Sequence, residues 1–304
     1  MAAFIPGLVH TPVTPFTKDN AVDFGRYAGL VEFHIRHGAD ALALAMHAGE
    51  SVSLGDGERQ QLLELALKTA KGRVPVIAHV SDSGTGIAAE RARAAERAGA
   101  AAVVATTPYY WTPPAGMVLE HFAQIGAAVK LPFLVLYAPR EMHGTKITTD
   151  LVLKLMDRLP NFAGVIDDSL DWQSMINIVS NGQRKNPAFQ LLSGSEYMIS
   201  AGAIGATSVL SSLAGIAPVL VRKLHDLCRA ERYAEARPAQ EALAALWQLV
   251  RPGGIGGLKA AMQAMGRDCG SVRPPLDALT GPAAEQLAAA IAALPAMAGE
   301  PCGW

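Results

Sequence analysis

The sequence predicts an α/β fold, a single (β/α)8 TIM barrel carrying a C-terminal helical extension. Two observations lead there: about eight short apolar, β-branched runs recur along the first two thirds of the chain, and longer amphipathic stretches separate them. A third excludes the competing open sheet, because no GxGxxG turn follows the first run. Strands that alternate with helices must run parallel through right-handed crossovers. Both sheet faces are then covered, so the strands read as continuously apolar.

Taken in order, the strand runs are Gly7 to Pro15, Ala39 to Met46, Val74 to Val80, Ala101 to Thr107, Phe133 to Ala138, Phe162 to Asp167, Phe189 to Ser193 and Ala206 to Ser211. The helical segments between them are Phe24 to His37, Asp56 to Lys71, Ile87 to Ala98, Met117 to Val129, Thr149 to Leu159 and Trp172 to Ser180. After the eighth strand the chain stays helical from Val219 to Leu294, with Tyr233 to Val250, Leu258 to Met265 and Ala283 to Leu294 as its Ala- and Leu-rich segments. Gly253, Gly254, Gly256 and Gly257 resemble a phosphate loop, but they follow Pro252 and read as a helix start. Residues 1–218 are expected to form the barrel core and residues 219–304 helices packed on it in the same structural unit, since no polar linker separates them.

Composition narrows the function. The 304 residues are 50% hydrophobic and 17% charged, enough for one large core. A formal net charge of −1 leaves no electrostatic footprint for nucleic acid or an anionic membrane, so a small molecule is the expected partner. Cys228, Cys269 and Cys302 are scattered and odd in number, which indicates neither a disulfide framework nor a zinc knuckle and fits a reducing cytoplasm. Pro6, Pro12 and Pro15 interrupt any apolar leader, so the protein is expected to be unexported and cytoplasmic.

Barrel chemistry sits at the C-terminal ends of the strands and in the loops beyond them. The first strand closes on Thr11-Pro12-Val13-Thr14-Pro15-Phe16, the second on Met46-His47-Ala48-Gly49-Glu50-Ser51, and the fourth on Thr106-Thr107-Pro108-Tyr109-Tyr110-Trp111. The fifth ends with Tyr137 and Arg140, the sixth with Asp167-Asp168-Ser169, and the seventh with Ser193-Gly194-Ser195-Glu196. With LPFLVLYAP, GLKAAM and GSVRPPL in the same order, these motifs make the chain resemble the dihydrodipicolinate synthase and N-acetylneuraminate lyase family over most of its length.

The resemblance implies condensation or cleavage of 2-oxo acids through a Schiff base on a sixth-strand lysine, and here Ile166 stands in its place, within Gly164-Val165-Ile166-Asp167-Asp168. The other lysines read as loop or surface-helix residues, with no amine made nucleophilic by desolvation. Where the family shows two threonines after the second strand, this chain has His47 and Ala48 before Gly49. His47 then takes the proton-relay position, with a metal ligand and a structural histidine as alternatives. The resemblance further implies that Tyr137 faces substrate and that Tyr110 reaches into a neighbouring subunit's site; packing of a subunit interface is the plainer reading of Tyr110. Arg140 stands near the family's carboxylate-binding arginine, whose strict match is Met142. Asp167 and Asp168 read either as a carboxylate in the barrel mouth or as the N-cap of the helix from Trp172, and Glu50 as a structural acceptor.

The expected function is a carbon–carbon or carbon–oxygen lyase without Schiff-base chemistry, acting on a small oxo- or hydroxy-carboxylate. Tyr137, His47 and Tyr110 are its catalytic residues, and Thr11, Ala48, Gly49, Arg140, Asp167, Asp168 and Ser193 its substrate-binding residues. No cofactor or metal is implied. A non-catalytic carboxylate-binding barrel and a divalent-metal lyase using His47, Asp167 or Asp168 are the alternatives. The resemblance also implies a homo-oligomer, a dimer or a tetramer of dimers.

Overall fold

The computed structural model describes residues 4–139 and 144–304. Eight strands follow one another in chain order around a closed barrel: β1 (Leu8–His10), β2 (Ala41–Leu44), β3 (Val76–His79), β4 (Ala102–Thr106), β5 (Phe133–Tyr137), β6 (Phe162–Asp167), β7 (Gln190–Ser193) and β8 (Ser208–Ser211). The helices among the described residues are α1 (Phe24–Arg36), α2 (Asp56–Ala70), α3 (Thr85–Ala98), α4 (Ala115–Ala127), α5 (Thr149–Arg158), α6 (Trp172–Lys185), α7 (Met198–Ala203), α8 (Pro218–Arg229), α9 (Tyr233–Val250), α10 (Gly254–Ala264) and α11 (Gly281–Ala292). The barrel and its C-terminal helices are therefore as the sequence predicts, and the glycines do open α10.

The differences have physical reasons. β1 is shorter than its apolar run, because Pro12 and Pro15 have no amide to offer a ladder. α6 continues past Ser180 to Lys185: its Gly182 is a packing residue, since a Cβ there would stand 2.4 Å from the Phe189 ring. The six residues of α7 are too few to show a helical period.

The chain divides into two compact units, Pro75–Leu210 with the segment ending at Gly7, and Leu8–Val74 with Ser211–Trp304. In the first unit, the parallel ladder sets every side chain's face. Phe133 lies against α4, where a Cβ on Gly126 would meet its ring at 3.0 Å, and Leu191 packs with Met175 and Val179 of α6. Their rows therefore face the helices, and the alternate rows face the barrel interior. One interior row runs His79, Val104, Leu134, Gly164 and Gln190; the next, two residues further on, runs Thr106, Leu136, Ile166, Leu192 and Ser208.

The second unit buries charge and provides for it. Glu50, held at φ 55°, is 1% exposed, and its Oε1 lies 2.7 Å from Lys259 Nζ. The ammonium also donates to the carbonyls of Thr14 and Ser271 at 2.7 and 2.6 Å, while Glu50 Oε2 accepts the Arg273 amide at 2.9 Å. Both cations stack on Phe16, at 4.6 Å for Lys259 and 4.3 Å for Arg273. This network ties the loop after β2 to α10 and the strand-like segment beyond it. Arg267, fully buried, donates to the carbonyls of Gly215, Ile216, Pro301 and Gly303, fixing the turn after β8 to the C-terminal tail.

His10 of β1 and His34 of α1 sit with their Nδ1 atoms 3.1 Å apart, so at most one of the two carries a proton there. Burial pushes His34 down to about 3 and His225 down to about 4, and His10 well below the usual range. In the first unit, burial likewise lowers His121 to about 4.

Two predictions follow from this packing. Removing one member of a buried ion pair costs about 3–5 kcal/mol, so Glu50→Ala and Lys259→Met should each lower the melting temperature by roughly 10 °C. A shift under about 2 °C in calorimetry would show that the pair is not buried as described. The depressed histidines give a pH signature. The unfolded chain binds protons near pH 6.5 that the folded chain refuses, so their stabilisation is complete above that pH and is lost as pH falls from about 6.5 toward 4. Melting temperature should fall between pH 7.5 and pH 5, and His34→Gln should flatten that slope; an unchanged slope in the variant would count against the account.

Candidate functional site at the strand ends

In the first unit, Ile166 occupies the upper interior row between Leu136 and Leu192 and is fully buried. The wall at this position is apolar on both sides. Tyr137, Asp167 and Ser193 register with one another one residue further on, in the alternate pleat. All three are nearly buried, at 8%, 1% and 2% exposure.

Asp167 Oδ1 accepts the Ser169 amide at 2.8 Å, and Oδ2 is buried without a hydrogen-bond partner. Burial pushes its carboxyl above the ordinary range, against the pull of the Ser169 bonds. Burial raises the Tyr137 phenol too, with the Asp167 charge adding to it and Lys146 opposing. Lys146, in the segment after β5, pairs at 2.9 Å with Asp171, which holds the amine protonated by raising it above the usual lysine range.

Neither Asp167 nor Asp168 is the helix cap. Asp171 caps α6, accepting the Ser174 amide at 3.0 Å, whereas the Asp168 amide donates to the Tyr137 carbonyl. Asp167 stands in the pleat alternate to Ile166, so the ladder does not turn it into the barrel as a mouth carboxylate. Ser193 donates to the Ser195 carbonyl at 2.7 Å. Arg140 and Met142 lie outside the described residues.

Tyr110 is fully exposed and has φ 83°, a conformation unfavourable for a bulky side chain, and Trp111 beside it is half-exposed. The loop after β4 thus presents two adjacent aromatic side chains to its surroundings.

In the second unit, the Thr11 amide donates to the Ser211 carbonyl at 3.0 Å. His47 is exposed and opens a short 3-10 turn, with Ala48 and Gly49 buried behind it. Thr14 Oγ1 donates to the Gly49 carbonyl at 2.7 Å, which fixes the height of that turn. Glu50 is structural, as expected, although its amide partner comes from Arg273 and not from its own loop. Lys259 corrects the sequence reading: it is 3% exposed, not a surface lysine, because α10 turns it inward onto Glu50. Its ammonium is held by three oxygen partners, so it offers no lone pair. Among the described residues, no group of three or more His, Cys, Asp or Glu side chains is placed to hold a metal ion, and no helix is long and apolar enough to cross a membrane.

Sequence reasoning passed over His79 and Ser81. His79 stands in the lower interior row of the first unit, 7% exposed, with Nε2 at 2.7 Å from Ser81 Oγ. The signal available was a single histidine inside the apolar run Val76-Ile77-Ala78-His79-Val80, where position inside a strand gave no reason to prefer it.

The profile of the Dihydrodipicolinate synthetase family matches residues 5–294. Relatives include the 4-hydroxy-tetrahydrodipicolinate synthases of Azoarcus sp. (strain BH72), 31% identical with 90% of this chain and 93% of the relative covered, and of Rhizobium meliloti (strain 1021), 32% identical with 91% and 94% covered. Among solved structures, a prophage protein of the dihydrodipicolinic acid synthase family from E. coli K12, in complex with pyruvate, superposes with a TM-score of 0.90 at 25% identity, covering 96% of this chain and 99% of that one. The chloride-inhibited dihydrodipicolinate synthase of Acinetobacter baumannii, complexed with pyruvate, gives 0.87 at 26% identity, with 95% and 98% covered. With the barrel, the strand-end motifs and the match along almost its whole length agreeing, this chain belongs to the dihydrodipicolinate synthetase family.

Proposed function

We propose that the protein is a lyase acting on a small 2-oxo or hydroxy carboxylate without a lysine Schiff base. The observation that carries this reading is Ile166: a fully buried aliphatic side chain on the interior row where the resemblance sets the nucleophilic lysine. Two further lysines are accounted for. Lys146 is paired with Asp171 and Lys259 with Glu50, and a protonated amine cannot attack a carbonyl. Solved relatives in complex with pyruvate support a 2-oxo acid as the ligand class.

In this reading, Tyr137 moves a proton at the substrate. Its raised pKa keeps the phenol protonated at neutral pH, so it serves as a donor to a developing oxyanion. His47, exposed at its turn, is the second acid/base group, and Thr11, Ala48, Gly49, Arg140, Asp167, Asp168 and Ser193 contribute to binding. Tyr110 completes the site in a homo-oligomer, a dimer or a tetramer of dimers, for which the exposed Tyr110 and Trp111 provide an aromatic contact surface. The near-neutral net charge fits a cytoplasmic protein with neither nucleic acid nor membrane as partner.

Thermal shift with pyruvate and 2-oxoglutarate, followed by borohydride trapping and intact-mass measurement, tests the reading. Stabilisation by several degrees with no trapped adduct is the expected result, and His47→Ala should lose at least half of the shift. A borohydride-stable adduct on any lysine would overturn the lysine-independent site.

A further inference from the structure

The interior rows of the first unit are apolar around Ile166 but not below it. His79, at the end of β3, lies in register with Val104 and Leu134 on the interior row just beneath that of Ile166. Its ring is fixed from above. Ser81 Oγ lies 2.7 Å from His79 Nε2 and accepts the Thr106 amide at 2.8 Å, and Thr106 is itself a member of the Ile166 row. Arg91 of α3 then holds the Ser81 carbonyl while pairing with Asp82 at 3.0 Å, and Asp82 Oδ1 accepts the Gly84 amide at 2.8 Å. A chain of polar contacts thus runs from α3 through the turn after β3 to one imidazole on the barrel's inner wall.

Such an investment is unusual for a histidine that only fills space. Imidazole is the side chain best matched to proton transfer near neutral pH. Ser81 is 1% exposed and its oxygen already accepts an amide, so it cannot serve as a nucleophile and is suited to orienting the ring.

We infer that His79 is the general base of this site, abstracting a proton from the carbon next to the carbonyl of a 2-oxo acid, and that Ser81 is its positioning residue. The inference rests on the proposed 2-oxo acid lyase and adds a base located on the same strand system as Ile166. With the Nε2 proton donated to Ser81 Oγ, the lone pair lies on Nδ1. For pyruvate the step is balanced within the site: the C3–H bond breaks, its proton passes to Nδ1, the electron pair forms the C2–C3 double bond, and the C2 oxygen takes up the displaced pair as an enolate. Return of a proton from Nδ1 to C3 regenerates pyruvate, and in heavy water it returns a deuteron.

Exchange of the pyruvate methyl protons in D2O, followed by proton NMR with full-length protein, tests this. Wild type should exchange above the buffer rate, and His79→Gln should slow exchange by about 100-fold or more, the scale of general-base catalysis. Ser81→Ala should slow it by about tenfold at saturating pyruvate with the half-saturating concentration unchanged, and Ser81→Thr should restore it. That split separates positioning from a merely structural role. Exchange at the wild-type rate in a folded His79→Gln variant would overturn the assignment while leaving the lyase reading intact. If His79→Gln fails to fold, the Ser81 pair decides: no effect of Ser81→Ala overturns the proposal. Wild type that neither exchanges nor is stabilised by pyruvate would overturn both, whereas stabilisation without exchange would overturn only the base.

Discussion

A residue in a parallel ladder has one face to offer, and the register running from β3 to β8 decides everything that follows in the first unit. The rows that carry Phe133 and Leu191 meet the helices, so the rows that carry His79 and Ile166 meet the interior. No local preference of an individual residue competes with this. A shift of one residue anywhere in the ladder would exchange the two sets wholesale, sending Ile166 to the helices and Asp167 to the interior. The bulge between Phe133 and Leu134 shows the register being managed, because β6 advances by an extra residue there and only then delivers Ile166 opposite Leu136.

The two units treat buried charge in opposite ways. In the second, Lys259, Glu50 and Arg267 have their hydrogen-bonding groups turned to carbonyls, an amide or each other, and the arrangement joins chain segments more than 200 residues apart. Charge there is used to hold loops in place. In the first unit, Asp167 is as deeply buried, yet one carboxylate oxygen has no hydrogen bond, and burial keeps its proton affinity high. Incompletely satisfied polar groups cost stability, which makes the surroundings of Tyr137 and Asp167 the part of the strand-end region least explained by folding alone.

Fold class was legible because it depends on period and count. The run Phe162 to Asp167 is β6 residue for residue, and Tyr233 to Val250 is α9, since apolar spacing and flanking breakers specify such elements locally. Ile166 was legible for a different reason, a motif with one residue out of place. Facing was not. Lys259 reads as an ordinary helical lysine until α10 is packed, and its burial depends on Glu50, which is far away in sequence. The α6 cap was misplaced onto Asp167 and Asp168 because three acidic residues precede Trp172, and only backbone geometry selects Asp171. His79 was hidden by the rule that barrel chemistry lies beyond the strand ends, whereas it closes β3 itself, with its partner Ser81 two residues on.

Losing an iminium removes an electron sink, so a site with Ile166 must stabilise an enolate by other means. It must also prevent stray amines from reinstating the old chemistry at a worse place. The ion pairs serve that second need: Asp171 raises the proton affinity of Lys146, and Glu50 opposes the loss of the Lys259 proton that burial alone would favour. An apolar wall at Leu136, Ile166 and Leu192 excludes water, which strengthens any dipole directed at the substrate and any proton transfer conducted there. Under the proposed reading, aliphatic replacement and an oriented imidazole one row below are therefore complementary. The first supplies a dry environment in which the second is an effective base, and neither alone would make a lysine-free barrel competent.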